Sequence, residues 1–227
     1  MRTLGKTTLF NALTGMRQKV GSYPGVTVER KEGVWVLDGF SANVVDLPGL
    51  YSLETVAVDE EIARKIITGE QRDVLKPSVI IAVVDATNLE RNLYLVTQIF
   101  GYGIPVVIAL TMIDAFEKDG HALNAARLAE RMHAPVVKVN AKTGRGLAEL
   151  ASAVEGADRN GCDSSLELQN LSGNGTQAAI FARYKFISDV VQETVGYYDG
   201  GRSHASEKID RILTHRFFGL IRASSIV

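Results

Sequence analysis

Apolar residues in this chain recur with two periods, and the period changes along its length. Short apolar runs at Val79–Val84 and Ile104–Leu110 are rich in β-branched residues, the composition of strands buried on both faces of a parallel sheet. Helical spacing separates them. The resulting order is strand 79–85, helix 90–100, strand 105–110, helix 122–132, strand 136–139 and helix 146–154. Such alternation predicts an α/β fold, a parallel sheet with helices on both faces.

The first third reads differently. GKTTLFNALTG (5–15) is a helix ending at Gly15, and 16–27, with Gly21, Ser22, Pro24 and Gly25, is a loop. Val28–Leu37 and Ala42–Val45 are strands joined at Asp38-Gly39, a strong hairpin signal. A polar helix follows at about 59–70. Toward the C-terminus, residues 156–176 are rich in Gly, Asn, Ser and Asp and read as a linker. Helical spacing returns at 177–195 and again at Ser206–Phe218. The organisation is a domain over 1–156, a linker over 157–176 and a small helical unit over 177–227.

Composition narrows the function. The 227 residues are 46% hydrophobic and 22% charged, enough to bury an ordinary core. A net charge of −1 supplies no basic field for nucleic acid. Cys162 is the only cysteine, so no intrachain disulfide can form. No apolar run approaches the roughly 18–20 residues that cross a bilayer. The histidines, His121, His133, His204 and His215, are not spaced as metal ligands.

Several segments carry candidate chemistry. Gly5-Lys6-Thr7-Thr8 opens a helix, where free N–H groups suit a phosphate, a lysine reaches the β- and γ-phosphates, and a hydroxyl holds Mg²⁺. Asp46-Leu47-Pro48-Gly49 follows a strand; its carboxylate can support Mg²⁺ and its glycine N–H can sense a γ-phosphate. Thr27, after Gly25-Val26, offers a second hydroxyl to the metal, which prefers hard oxygen donors. Thr111-Met112-Ile113-Asp114 ends a buried strand, where a carboxylate can accept from N1 and N2 of guanine. Asn140-Ala141-Lys142 ends the next strand and can cover the base. Ligands of open α/β sheets bind outside the carboxyl ends of the strands, where all these loops fall.

The stretches GKTTLFNALTG, VGSYPGVTVERKEG, VVDLPGLYSL, VVDATNLERNLYL and EKIDRILTHRFFGL resemble the N-terminal region of the ferrous iron transport protein B family over about residues 5–220. The resemblance implies a Ras-like P-loop GTPase domain followed by a small helical domain that tempers nucleotide release. It implies GTP or GDP as ligand with Mg²⁺ held by Thr7, Thr27 and Asp46, and the membrane portion of the same transporter as partner. It places the chain on the cytoplasmic side of the bacterial inner membrane. Self-association into a homo-oligomer stays open. Leu50 holds the position of the water-positioning glutamine of Ras-like proteins, so hydrolysis should be slow.

Three departures qualify the resemblance. Only Met1-Arg2-Thr3-Leu4 precede Gly5, where the family has a β-strand and GNPNxGKT. The expectation is a sheet lacking its central first strand, with backbone groups unpaired beside Val45 and Val84. The family's K⁺-coordinating asparagine aligns with Met1, which puts K⁺-activated hydrolysis in question. Thr111 replaces the family asparagine that meets the N7/O6 side of guanine, and IRASSIV replaces the apolar run that opens the membrane portion. Two alternatives therefore stand beside a slow GTPase switch: a non-catalytic regulatory module with weak or lost nucleotide binding, and another small GTPase of the translation-factor class.

Overall fold

A computed structural model of the chain describes residues 4–15, 18–23, 28–37, 40–48, 58–71, 74–161 and 177–197. Its heart is a parallel sheet of β4 (Ile80–Asp85), β5 (Val106–Thr111) and β7 (Val136–Lys138), with β5 central. Ile80 pairs with Val106 and Ile108 with Val136. All six residues of β5 are buried, as an unbroken apolar run requires.

Because side chains alternate across a strand, β5 feeds two cores. Val106, Ile108 and Leu110 join Leu93 and Val96 of α3 (Leu89–Phe100), Leu128 and Met132 of α5 (Ala125–Met132), and Phe186, Ile187 and Val190 of α7 (Gln177–Thr194). Val107 and Ala109 face Leu9 and Leu13 of α1 (Leu4–Thr14) and Leu150 and Val154 of α6 (Leu147–Asn160). Each fully buried aliphatic side chain here contributes about 1.5–3 kcal/mol of transfer free energy. Trp35 joins the second core, as a strand tryptophan with one buried face should.

The N-terminal third forms a separate antiparallel sheet of β1 (Gln18–Ser22), β2 (Glu29–Leu37) and β3 (Phe40–Asp46). The β2–β3 hairpin closes at Leu37↔Phe40, the predicted place. The loop expected over 16–27 instead contains β1, whose polar, largely exposed residues carry no alternation; it exists by pairing with β2 from Gln18↔Gly33 to Ser22↔Glu29. Helix α2 (Val58–Thr68) lays Ile62 and Ile66 against Tyr23. Among the described residues no strand joins β3 to β4, so the two sheets stay distinct.

Three further elements escape the sequence pattern. The short helix α4 (Ile113–Lys118) follows β5, and β6 (His121–Leu123) pairs antiparallel with β8 (Val195–Tyr197) at the end of α7. This small sheet ties the end of α7 to the segment between α4 and α5. Arg127 reinforces it by reaching Glu193 at 2.7 Å, and His121 stacks between Phe116 and Tyr197 at 4.8 Å from each ring. Ser206–Phe218, Cys162, His204 and His215 lie outside the described residues. Among the described residues no helix is long and apolar enough to cross a membrane.

Candidate functional site

The polar candidates collect at the C-terminal ends of β3, β5 and β7, the edge at which α1 begins. Helix α1 has no acidic residue in its first turn, so its N–H groups and partial positive charge stay unneutralised by the helix itself. Lys6, in that turn, points its ammonium at the end of β3. Its Nζ lies 3.1 Å from Asp46 Oδ1 and donates to the Leu47 carbonyl.

Lys6, Asp46 and Leu47 line a cleft of about 250 Å³ together with Thr7 and Pro48. Val28, Glu29, Lys31 and Asp59 complete its wall, and the sequence reading missed all four. For Lys31 a signal exists: hairpin register sets it opposite Asp46. Thr7 and Asp46 put a hydroxyl and a carboxylate on one cleft, the hard oxygen donors that Mg²⁺ accepts. The Lys6 ammonium already sits against Asp46, so this carboxylate is placed to hold positive charge. The donor set fits the metal. Gly25, Val26, Thr27 and Gly49 lie outside the described residues.

A second group forms at the ends of β5 and β7. Asp114 lies in the first turn of α4, behind Met112, whose φ of 60° is left-handed. A non-glycine residue there costs about 1–2 kcal/mol, and such strain gathers at functional loops. Asn140 Nδ2 donates to Asp114 Oδ2 at 2.9 Å, while Asn140 Oδ1 accepts from the N–H groups of Lys142 (3.1 Å) and Thr143 (3.3 Å). The amide plane is thereby fixed with its nitrogen toward the carboxylate. Ala141 packs on the α1–α6 core.

Gly5 and Thr111 join the two groups. A β-carbon added at Gly5 would lie 3.3 Å from Thr111 Oγ1, a tight contact that brings the start of α1 against the end of β5. Thr111 is 6% exposed, and its hydroxyl donates to the Val84 carbonyl at 3.2 Å. Lys6, Asp46, Thr111 and Asp114 thus share one edge of the molecule. Thr8 stands in the same first turn of α1.

Tyr23 is buried behind the cleft: its side chain is 2% exposed, against Ile62, Ile66 and Val74, and Val28 and Leu47 of the cleft wall pack on the same cluster. Burial pushes its phenol up to about 12; nearby Arg30 opposes this, and Glu32 and Asp46 add to it. Its hydroxyl has no hydrogen-bond partner among the described residues.

Comparison with known proteins sharpens the picture. The sequence profile of the family described as Ferrous iron transport protein B matches residues 2–154. The Fe(2+) transporter FeoB of Salmonella typhimurium is 45% identical over 168 residues, 72% of this chain and 21% of that protein. The chain therefore spans about a fifth of the length of the curated relatives it matches. Among solved structures, the cytosolic domain of T. maritima FeoB in its GMPPNP form superposes with a TM-score of 0.73 at 30% identity, covering 86% of this chain and 96% of that one. A GDP-bound point mutant of the S. thermophilus FeoB G-domain superposes with a TM-score of 0.71 at 30% identity, covering 85% of this chain and 95% of that one.

Proposed function

The chain belongs to the ferrous iron transport protein B family, with the Ras-like P-loop GTPase fold of its G domains, and on that footing we propose that it is a guanine-nucleotide switch with slow GTPase activity. The observation that carries this is the shared edge. A helix N-terminus with Lys6 and Thr7 opens beside Asp46, and Asp114, braced by Asn140, stands across Thr111 from it.

In this reading the first turn of α1 and Lys6 hold the β- and γ-phosphates. Thr7 and Asp46, with Thr27, hold Mg²⁺, which supplies charge neutralisation at the phosphates when bound. Asp114 accepts from the donor edge of guanine, and Asn140, Ala141 and Lys142 cover the base. Gly49 meets the γ-phosphate. Residues 1–156 act as the G domain, 157–176 as the linker and 177–227 as the helical unit that tempers nucleotide release. In the whole transporter the switch controls Fe²⁺ passage from the cytoplasmic side, through contact with the membrane portion. GTP turnover by the purified chain with Mg²⁺, with and without K⁺, tests the enzymatic half; hydrolysis no faster than in buffer rejects it.

One observation favours a second reading, a regulatory module that binds nucleotide weakly and does not hydrolyse it. Lys6 is already engaged by Asp46 and the Leu47 carbonyl, and a phosphate must compete for it. Titration with labelled GDP separates the two: micromolar binding keeps the switch, and no binding at millimolar nucleotide favours the module.

A further inference from the structure

The donors around Asp114 are committed, and their commitments decide which side of a base this site can read. A purine such as guanine offers donors on one side, N1–H and the 2-amino group, and an acceptor, N7, on the far side of the ring system. Asp114 is a carboxylate and can only accept, so it takes the donor side. Reading N7 requires a protein donor on the opposite flank, toward the phosphates.

The residue on that flank is Thr111, which lies between the Asp114 loop and the start of α1, against Gly5. A threonine hydroxyl carries one proton. Here the proton goes to the Val84 carbonyl at 3.2 Å, inside the protein, on a side chain that is 6% exposed. Giving it up would leave that buried carbonyl with one donor fewer and expose nothing new to the ligand. Two other neutral side-chain donors stand in these loops, the Thr143 hydroxyl, which donates to the Asn140 carbonyl at 3.4 Å, and the Asn140 amide. The amide is held against Asp114 by its own side-chain carbonyl's bonds to Lys142 and Thr143 and so belongs to the donor side.

Resting on the guanine-nucleotide reading above, we propose that this site recognises its purine through the donor edge: Asp114 accepts from N1–H and the 2-amino group, and among the described residues the side chains at the ends of β5 and β7 give N7 no hydrogen bond. Thr111 is the specificity-determining residue, spending its proton on the β4–β5 junction instead of on the base. The nucleotides that fit are those with N1–H and a 2-amino group, whatever atom stands at position 7.

Competition binding of GDP, 7-deaza-GDP and IDP to the chain, with Mg²⁺, tests this. GDP and 7-deaza-GDP are expected to bind within about threefold of each other, and IDP, which lacks the 2-amino donor, about tenfold more weakly. In Thr111→Asn, whose amide can donate to N7, GDP is expected to gain about tenfold over 7-deaza-GDP. A larger preference of the unmodified chain for GDP over 7-deaza-GDP overturns the proposal while leaving the nucleotide site standing. Failure of Thr111→Asn to separate the two ligands overturns the role given to Thr111. If neither the chain nor Thr111→Asn binds any of the three, the guanine-nucleotide reading itself falls, and this inference falls with it.

Discussion

Lys6 and Asp46 hold each other across the mouth of the cleft, Nζ to Oδ1 at 3.1 Å, with the same ammonium donating to the Leu47 carbonyl. Both residues are assigned to an anionic ligand and its metal, and each occupies the other. A phosphate must take Lys6 from Asp46, and Mg²⁺ must take Asp46 from Lys6, so the two ligands help each other bind.

This mutual hold makes Asp46→Asn informative. The variant frees Lys6 but removes the charge that supports the metal. GDP affinity in Mg²⁺-free buffer is expected to rise, up to about tenfold, and added Mg²⁺ is expected to improve it no further. Calorimetric titration with and without Mg²⁺ reads both effects. An affinity that drops without Mg²⁺ would show that Asp46 does not restrain Lys6.

Asn140→Ala removes the 2.9 Å brace on Asp114 without touching its charge. Roughly 1 kcal/mol of orientation should be lost, a fall of about fivefold in GDP affinity. ADP affinity should not change, because Asp114 gives adenine nothing to lose. Equal losses for both nucleotides would place Asn140 in general loop stability instead.

Gly146 and Gly144 make a paired test of the loop that carries Asn140. Both have positive φ, 82° and 77°. A β-carbon at Gly146 would lie 2.0 Å from the Lys138 carbonyl oxygen, whereas one at Gly144 meets nothing within 4 Å. Gly144→Ala should cost about 1–2 kcal/mol from the left-handed backbone alone. Gly146→Ala adds a clash with backbone and should cost more than about 3 kcal/mol, enough to unseat the end of β7. Urea unfolding of the two variants checks the order.

Tyr23 gives a pH dependence with a defined sign. Its folded-state pKa is raised to about 12 from 10.0, chiefly by burial. Below pH 10 the phenol is neutral in folded and unfolded chains, and its full contribution is present. Between about pH 10 and pH 12 the unfolded chain ionises first, so stability falls as pH rises, by up to roughly 2–3 kcal/mol. Tyr23→Phe removes the ionisation and should flatten that part of the profile. Its hydroxyl has no partner among the described residues, so the substitution should cost little at neutral pH. Denaturant midpoints measured from pH 8 to pH 12 test both statements.

Much of this architecture was legible in residue order because it follows from local rules. The run Ile104–Leu110 read as a buried strand, observed at Val106–Thr111, and Asp38-Gly39 marked a hairpin that closes where expected. The carboxylates Asp46 and Asp114 could be placed on one edge because both follow the carboxyl ends of strands. What escaped depends on distant partners. Strand β1 has no apolar alternation and exists because β2 offers an edge. The pairing of His121 with Tyr197 joins segments far apart in the chain. Tyr23 lies in the Gly- and Pro-containing stretch 16–27 that reads as a loop, and its burial comes from α2 folding over it. No pattern announces that Met112 will adopt a left-handed backbone, or that Lys6 will find Asp46 before any ligand does.

The account stands or falls on one site collecting Lys6, Asp46 and Asp114 around a guanine nucleotide. Titration of labelled GDP into the purified chain with Mg²⁺, repeated with Asp114→Ala, tests this most directly. Micromolar binding that Asp114→Ala weakens for GDP and leaves unchanged for ADP is the expected result. No binding at millimolar GDP, or binding indifferent to Asp114, would contradict it.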